Sequence, residues 1–192
     1  MRTFFAILER LTFCALLASA PFVGGCGGNT GSWQEEVKLT DGRVIVVTQK
    51  RRYEGVYDGQ SYGNLPREFW LEFKLPEFGN QEIVWHENLK PQVLNVHLGK
   101  LYVVGTPWTQ LEYRQYGKPF PEYVPYRFEA GQWLRVPFSE IPEAIYETNL
   151  AIATELPRDV KFVSLAMKSE ELKNERIAER NKKISATVKS FN

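Results

Sequence analysis

The chain has 192 residues, with 24 Lys and Arg against 23 Asp and Glu, two His and two Cys. A charge so nearly balanced lacks the basic excess with which nucleic-acid-binding domains hold phosphates. Two cysteines are too few for a disulfide-stapled scaffold, so a folded domain must rest on its apolar core.

The first 25 residues read as an export signal. Arg2 and Arg10 supply positive charge, and Leu11–Val23 forms an apolar core interrupted only by Thr12, Ser19 and Pro21. That core is shorter than the ~20 apolar residues a spanning helix needs, and it fits a signal segment. Two processing sites compete. Ala18-Ser19-Ala20 has the small-x-small form, but Pro21 follows it, removing the N–H and fixing φ at the scissile junction. The second site is Val23-Gly24-Gly25-Cys26, an aliphatic residue and two small ones before a cysteine. Bulky Phe13 precedes Cys14 and denies it the same role.

This segment resembles the lipobox of bacterial lipoproteins; the resemblance covers only the N-terminus. It implies a diacylglycerol thioether on Cys26, loss of residues 1–25, and acylation of the new amino group. Two or more acyl chains make such an anchor stable. Gly27, rather than Asp, after the cysteine implies an outer-membrane destination facing the periplasm in Gram-negative members. The alternatives are an ordinary secreted protein and a cytosolic one with an apolar start. With the cut before Cys26, the mature chain has 167 residues and no free thiol. Losing Arg2, Arg10 and Glu9 leaves 22 basic and 22 acidic residues. Residues 26–32, the lipidated cysteine and Gly27-Gly28-Asn29-Thr30-Gly31-Ser32, read as a tether spanning about 14 Å as a flexible coil. The domain is thus expected close to the bilayer.

Residues 33–163 read as a β-rich globular domain. Glu36–Thr40 and Arg43–Thr48 flank the turn signal Asp41-Gly42. Glu54–Leu65 reads as a glycine-rich loop. From Glu68 to Leu75 the alternation puts Phe69, Leu71, Phe73 and Leu75 on one face and Trp70 on the other, exposed one. Glu82–His86 is a further strand. Gln92–Leu98 and Lys100–Gly105 predict a hairpin around Gly99, Gln110–Tyr116 a strand or a short helix, and Tyr123–Glu129 with Gln132–Val136 a hairpin over Ala130-Gly131. The glycine-then-strand motif occurs at Gly42, Gly99 and Gly131 without a constant period, which excludes a repeat. Pro142 begins a predicted short helix over 142–154, and Val160–Val163 a last strand. Residues 164–192 read as a polar, helical C-terminal extension with few apolar positions. The fold class expected is mainly β: an antiparallel sandwich or open barrel built from hairpins.

Catalytic patterns are sparse. His86-Glu87 opens like a helical zinc motif, but Lys90 stands where the second histidine belongs. His86, Glu87 and His97 remain the candidates for a metal pair, with surface histidines as the simpler reading. No phosphate loop, dinucleotide fingerprint or nucleophile elbow occurs, and no carboxylate among Glu112, Glu122, Glu129 and Glu140 stands out. No catalytic residue, metal site or cofactor is assigned. The run Lys50-Arg51-Arg52 reads as a solvated strand end, with phosphate or anionic-lipid contact as the alternative. The positive signal is aromatic: Tyr53, Tyr57 and Tyr62 in one loop, and Tyr113, Tyr116 and Tyr123 beside Pro119, Pro121 and Pro125 in another. Rings and prolines suit peptide or glycan grooves. The expectation is a non-catalytic module that binds an envelope protein or glycan through these tyrosines. A structural assembly component docking by its C-terminal helix, or a cell-wall hydrolase using two carboxylates, are the alternatives.

Overall fold

The computed structural model describes residues 29–57, 62–150, 160–172 and 183–185. Two sheets pack face to face. The first has the order β4-β3-β2-β1-β9, from β1 (Asn29–Lys38), β2 (Val44–Tyr57), β3 (Tyr62–Lys74), β4 (Glu82–Glu87) and β9 (Phe162–Val163). The second has the order β5-β6-β7-β8, from β5 (Leu89–His97), β6 (Lys100–Pro107), β7 (Val124–Glu129) and β8 (Gln132–Arg135). Each run of consecutive strands is an antiparallel meander, and β9 adds to β1 in parallel over two residues. This is the mainly β sandwich that the alternating patterns predict, without a closed barrel.

The chain passes between sheets at Asn88. Glu87 still pairs with Phe69 in the first sheet, whereas Leu89 pairs with Pro107 in the second. The period-2 pattern of β3 buries Phe69, Leu71 and Phe73, beside Trp85 of the neighbouring β4, against the other sheet, where Leu94, Leu101 and Val103 meet them. Burial of such side chains contributes roughly 1.5–3 kcal/mol each relative to exposure. The second sheet is covered on both faces. Its outer side carries Val93, Tyr102 and Val104 beneath Val136, Ile141, Ile145 and Ile184. That second layer is why β5 and β6 are buried almost throughout.

Because successive strands reverse direction, the tight turns at Asp41-Gly42, Gly79-Asn80, Leu98-Gly99 and Ala130-Gly131 gather at one end. Leu98 and Gly99 have φ of 49° and 73°, and Ala130 and Gly131 49° and 81°, the paired positive values of a two-residue hairpin turn. Arg43 ties two of these turns together, 2.7 Å from both Asp41 and Glu77. The opposite end carries the start of β1, the corner at Asn88, and α1 (Gln110–Gln115).

Several expectations change in detail. β1 starts at Asn29, paired with Tyr53, so Asn29–Ser32 are strand rather than tether. The stretch 54–65 is no loop: β2 and β3 continue through Glu54↔Leu65 to Tyr57↔Tyr62, a two-stranded arm with residues 58–61 outside the described residues. At 110–115 the helix prevails, since Thr109 caps it and Glu112 completes a capping box. The helix predicted from Pro142 shrinks to one 3-10 turn, Glu143–Ile145. Tyr146 then accepts a backbone bond from Ile184 (2.9 Å) and Glu147 bridges to Lys183; positions 151–154 lie outside the described residues. The C-terminal helix is described as α2 (Leu165–Leu172). The segment after it supplies Ile184, 2% exposed, to the second core layer, so the polar extension returns to the domain.

Candidate functional site

The tyrosines singled out in the sequence occupy three places. Tyr53 lies at the base of the arm, its ring 3.3 Å from where a side chain at Gly31 would begin. Tyr57, farther along the arm, is 57% exposed. Tyr62 pairs with it in register. Tyr113 and Tyr116 belong to α1 and its C-terminus. The Tyr116 hydroxyl donates to Glu87 Oε2 at 2.7 Å and accepts from the Asn88 amide at 3.3 Å, so this ring latches α1 to the corner between the sheets. Burial first, and then the Glu87 carboxylate, push the Tyr116 and Tyr126 hydroxyls well above their ordinary values. Both stay protonated donors.

Tyr123 lines a groove, which encloses about 630 Å³ on the outer flank of the second sheet. Its rings are Phe120, Tyr123, Phe138 and Tyr146, and Pro119, Pro121, Pro125 and Pro137 fill the spaces between them. Tyr123 stacks on Phe138 with centroids 5.6 Å apart, and Phe138 tilts against Tyr146 at 5.4 Å. Phe120 stands at the lip, 77% exposed, beside a cis Phe120–Pro121 bond. Arg135 is the one charged lining residue. Its guanidinium donates to the Tyr116 carbonyl at 2.8 Å and lies over the Tyr116 ring. The prolines of 119–125 were legible as a groove signal. The other wall, Pro137, Phe138 and Tyr146, was missed because only the strap crossing the outer face of sheet two brings it there.

The histidines do not meet. His86 stacks on Trp70 at 4.2 Å and bonds Glu68 at 3.0 Å on the first sheet, whereas His97 ends β5 in the second. Trp70 is therefore half covered rather than freely exposed. Among the described residues no group of three or more His, Cys, Asp or Glu is placed to hold a metal ion. Three of the four carboxylates considered for hydrolysis serve in ion pairs: Glu112 with Arg67 at 3.1 Å, and Glu129 and Glu140 on either side of Arg127. For Glu112, burial raises the carboxyl pKa, but the bonds from Thr109 and Arg67 outweigh it and hold the group below its usual range. These carboxylates hold elements in place.

The basic run also divides. Lys50 and Arg52 pair with Glu72 and Glu68 on the outer face. Arg51, 2% exposed, turns inward under the Trp33 and Phe69 rings, where burial lowers its pKa. Beside it Gln49 donates to Glu35 at 2.8 Å, and Lys168 of α2 lies 3.6 Å from Glu35 while bonding the Glu36 and Asn149 carbonyls. This polar row anchors α2, and nothing in the strand pattern announces it.

Among the described residues no helix is long and apolar enough to cross a membrane. Comparison of the chain with protein-family models, with curated proteins and with solved structures found no match.

Proposed function

We propose that this protein is a lipid-anchored envelope module, held by acylated Cys26, that captures an extended segment of a protein partner in the groove bounded by Tyr123, Phe138 and Tyr146. The observation that carries the reading is the groove itself, an apolar trough of four rings and four prolines with a single charged side chain at its edge. Such a surface rewards shape and ring contact over directional bonding. A glycan demands several hydrogen-bonding side chains around each ring, and here Arg135, Ser139 and the tyrosine hydroxyls are the polar groups on offer. The lipobox-like residues Val23-Gly24-Gly25-Cys26 support the anchor, and Gly27 after the cysteine supports the outer-membrane address. Binding rather than turnover is favoured because Glu112, Glu129 and Glu140, three of the four carboxylates considered for hydrolysis, are paired with arginines.

The test is a photoreactive phenylalanine analogue at Ser139, on the groove, in the full-length protein expressed in cells, with the same analogue at Leu98 on the opposite end as control. A discrete protein adduct at Ser139, absent at Leu98, is expected, with mass spectrometry naming the partner peptide. Sugar-bearing adducts would replace the protein partner with a glycan. Equal labelling at both sites, or none at Ser139, refutes the groove as the binding surface.

A further inference from the structure

The arm and α1 share the end of the sandwich at which the chain from Cys26 enters. β1 begins there at Asn29, opposite Tyr53, and β2 continues for four more residues to Tyr57. At about 3.3 Å per residue, the arm projects about 13 Å beyond the start of β1. Cys26 precedes Asn29 by three residues, so covalent geometry keeps it within about 11 Å of that point. An acyl anchor on Cys26 therefore brings the arm to the bilayer. Arg67 joins the arm to α1, bonding Glu54 at 2.9 Å and Glu112 at 3.1 Å. This end also exposes large apolar side chains, with Tyr57 57%, Leu111 53% and Phe120 77% exposed.

We propose that this end is a membrane-contact surface, on which Tyr57 of the arm and Leu111 of α1 enter the interfacial layer of the phospholipid bilayer that holds Cys26. The inference rests on the lipid-anchor reading. Aromatic and aliphatic side chains gain free energy at the boundary of headgroups and acyl chains, and tyrosine suits it with an apolar ring and a polar tip. Charge at this end is mixed, since the arm, α1 and the segment after it carry Arg114 and Lys118 as well as Glu54 and Glu122, so the contact is apolar and needs no anionic lipid. It fixes the orientation: the four tight turns point away from the bilayer, and the groove lip at Phe120 opens at the membrane surface, where a membrane-proximal partner is met.

The experiment uses the full acylated protein in phosphatidylcholine–phosphatidylethanolamine vesicles, carrying a single environment-sensitive fluorophore through Tyr57→Cys, Leu111→Cys or Leu98→Cys. Leu98 is 88% exposed at the opposite end and serves as control. Labels at 57 and 111 are expected to shift to the blue and to lose emission to lipid-borne quenchers, unchanged by raised salt, while the label at 98 does neither. Intact mass measured on the same samples reports the acyl groups on Cys26. Three unquenched labels on acylated protein overturn the contact surface and leave the anchor standing. Three quenched labels overturn the orientation, and an unacylated Cys26 removes anchor and contact surface together.

Discussion

Gly105 offers the sharpest check on the packing at the corner between sheets. A Cβ built there lies 2.7 Å from the Leu89 Cβ, and 3.4 Å from both Leu89 Cδ1 and the Trp85 ring. Leu89 Cβ is fixed to the backbone of β5 where the chain has just changed sheets, so it cannot swing aside as a side-chain tip would. Both Leu89 and Trp85 are fully buried. Gly105→Ala therefore overpacks a closed site, at a cost of about 1–3 kcal/mol. Gly55, on the arm, has no atom within 4 Å of such a Cβ and an ordinary φ. There the same substitution only restricts the unfolded chain, stabilising by about 0.4–1 kcal/mol. Urea unfolding followed by far-UV circular dichroism reads both. With a slope of about 1–3 kcal/mol per molar urea, the Gly105→Ala midpoint falls by roughly 1 M at unchanged slope and the Gly55→Ala midpoint rises slightly. A Gly105→Ala midpoint at or above the parent value would refute the reasoning, because the corner would then hold room the structure does not show.

Two further outcomes follow from named contacts. Ile184→Ala, in the second core layer with Val136 and Ile145, costs about 2–5 kcal/mol in the same urea assay. A change within about 0.5 kcal/mol, as for a surface site, would mean that the segment after α2 does not complete this core. The second outcome concerns acid. Hydrogen bonds from Arg43 hold the Asp41 and Glu77 carboxyls below their ordinary values. The unfolded chain then binds more protons as pH falls, so this contribution is complete above about pH 5 and vanishes as the pH drops through the lowered values. All three side chains are about a third exposed, which keeps it below about 1 kcal/mol. Arg43→Met should lie below the parent in urea midpoint at pH 7 and converge with it near pH 2; a constant gap contradicts the pairing.

Local patterns carried much of the β architecture. The alternation Phe69, Leu71, Phe73 needs only a period of two to declare its buried face, and Leu98-Gly99 and Ala130-Gly131 mark hairpins because glycine tolerates positive φ. Gln110–Tyr116 was ambiguous by periodicity, although the capping box Thr109-x-x-Glu112 was there to decide it. The proline and tyrosine wall of the groove was equally visible.

What the sequence by itself determined was therefore the class of fold, the hairpins over Asp41-Gly42, Leu98-Gly99 and Ala130-Gly131, and the N-terminal resemblance on which the anchor reading rests. Tertiary structure decided which surfaces meet: that His86 and His97 part between two sheets, that Arg51, Gln49 and Glu35 turn inward with Lys168, and that Phe138 and Tyr146 cross over to face Tyr123. The physical reason is range. Strand alternation and turn geometry are settled by neighbours a few residues apart, whereas a buried arginine or a groove wall depends on partners brought together by packing, and no local spacing encodes them.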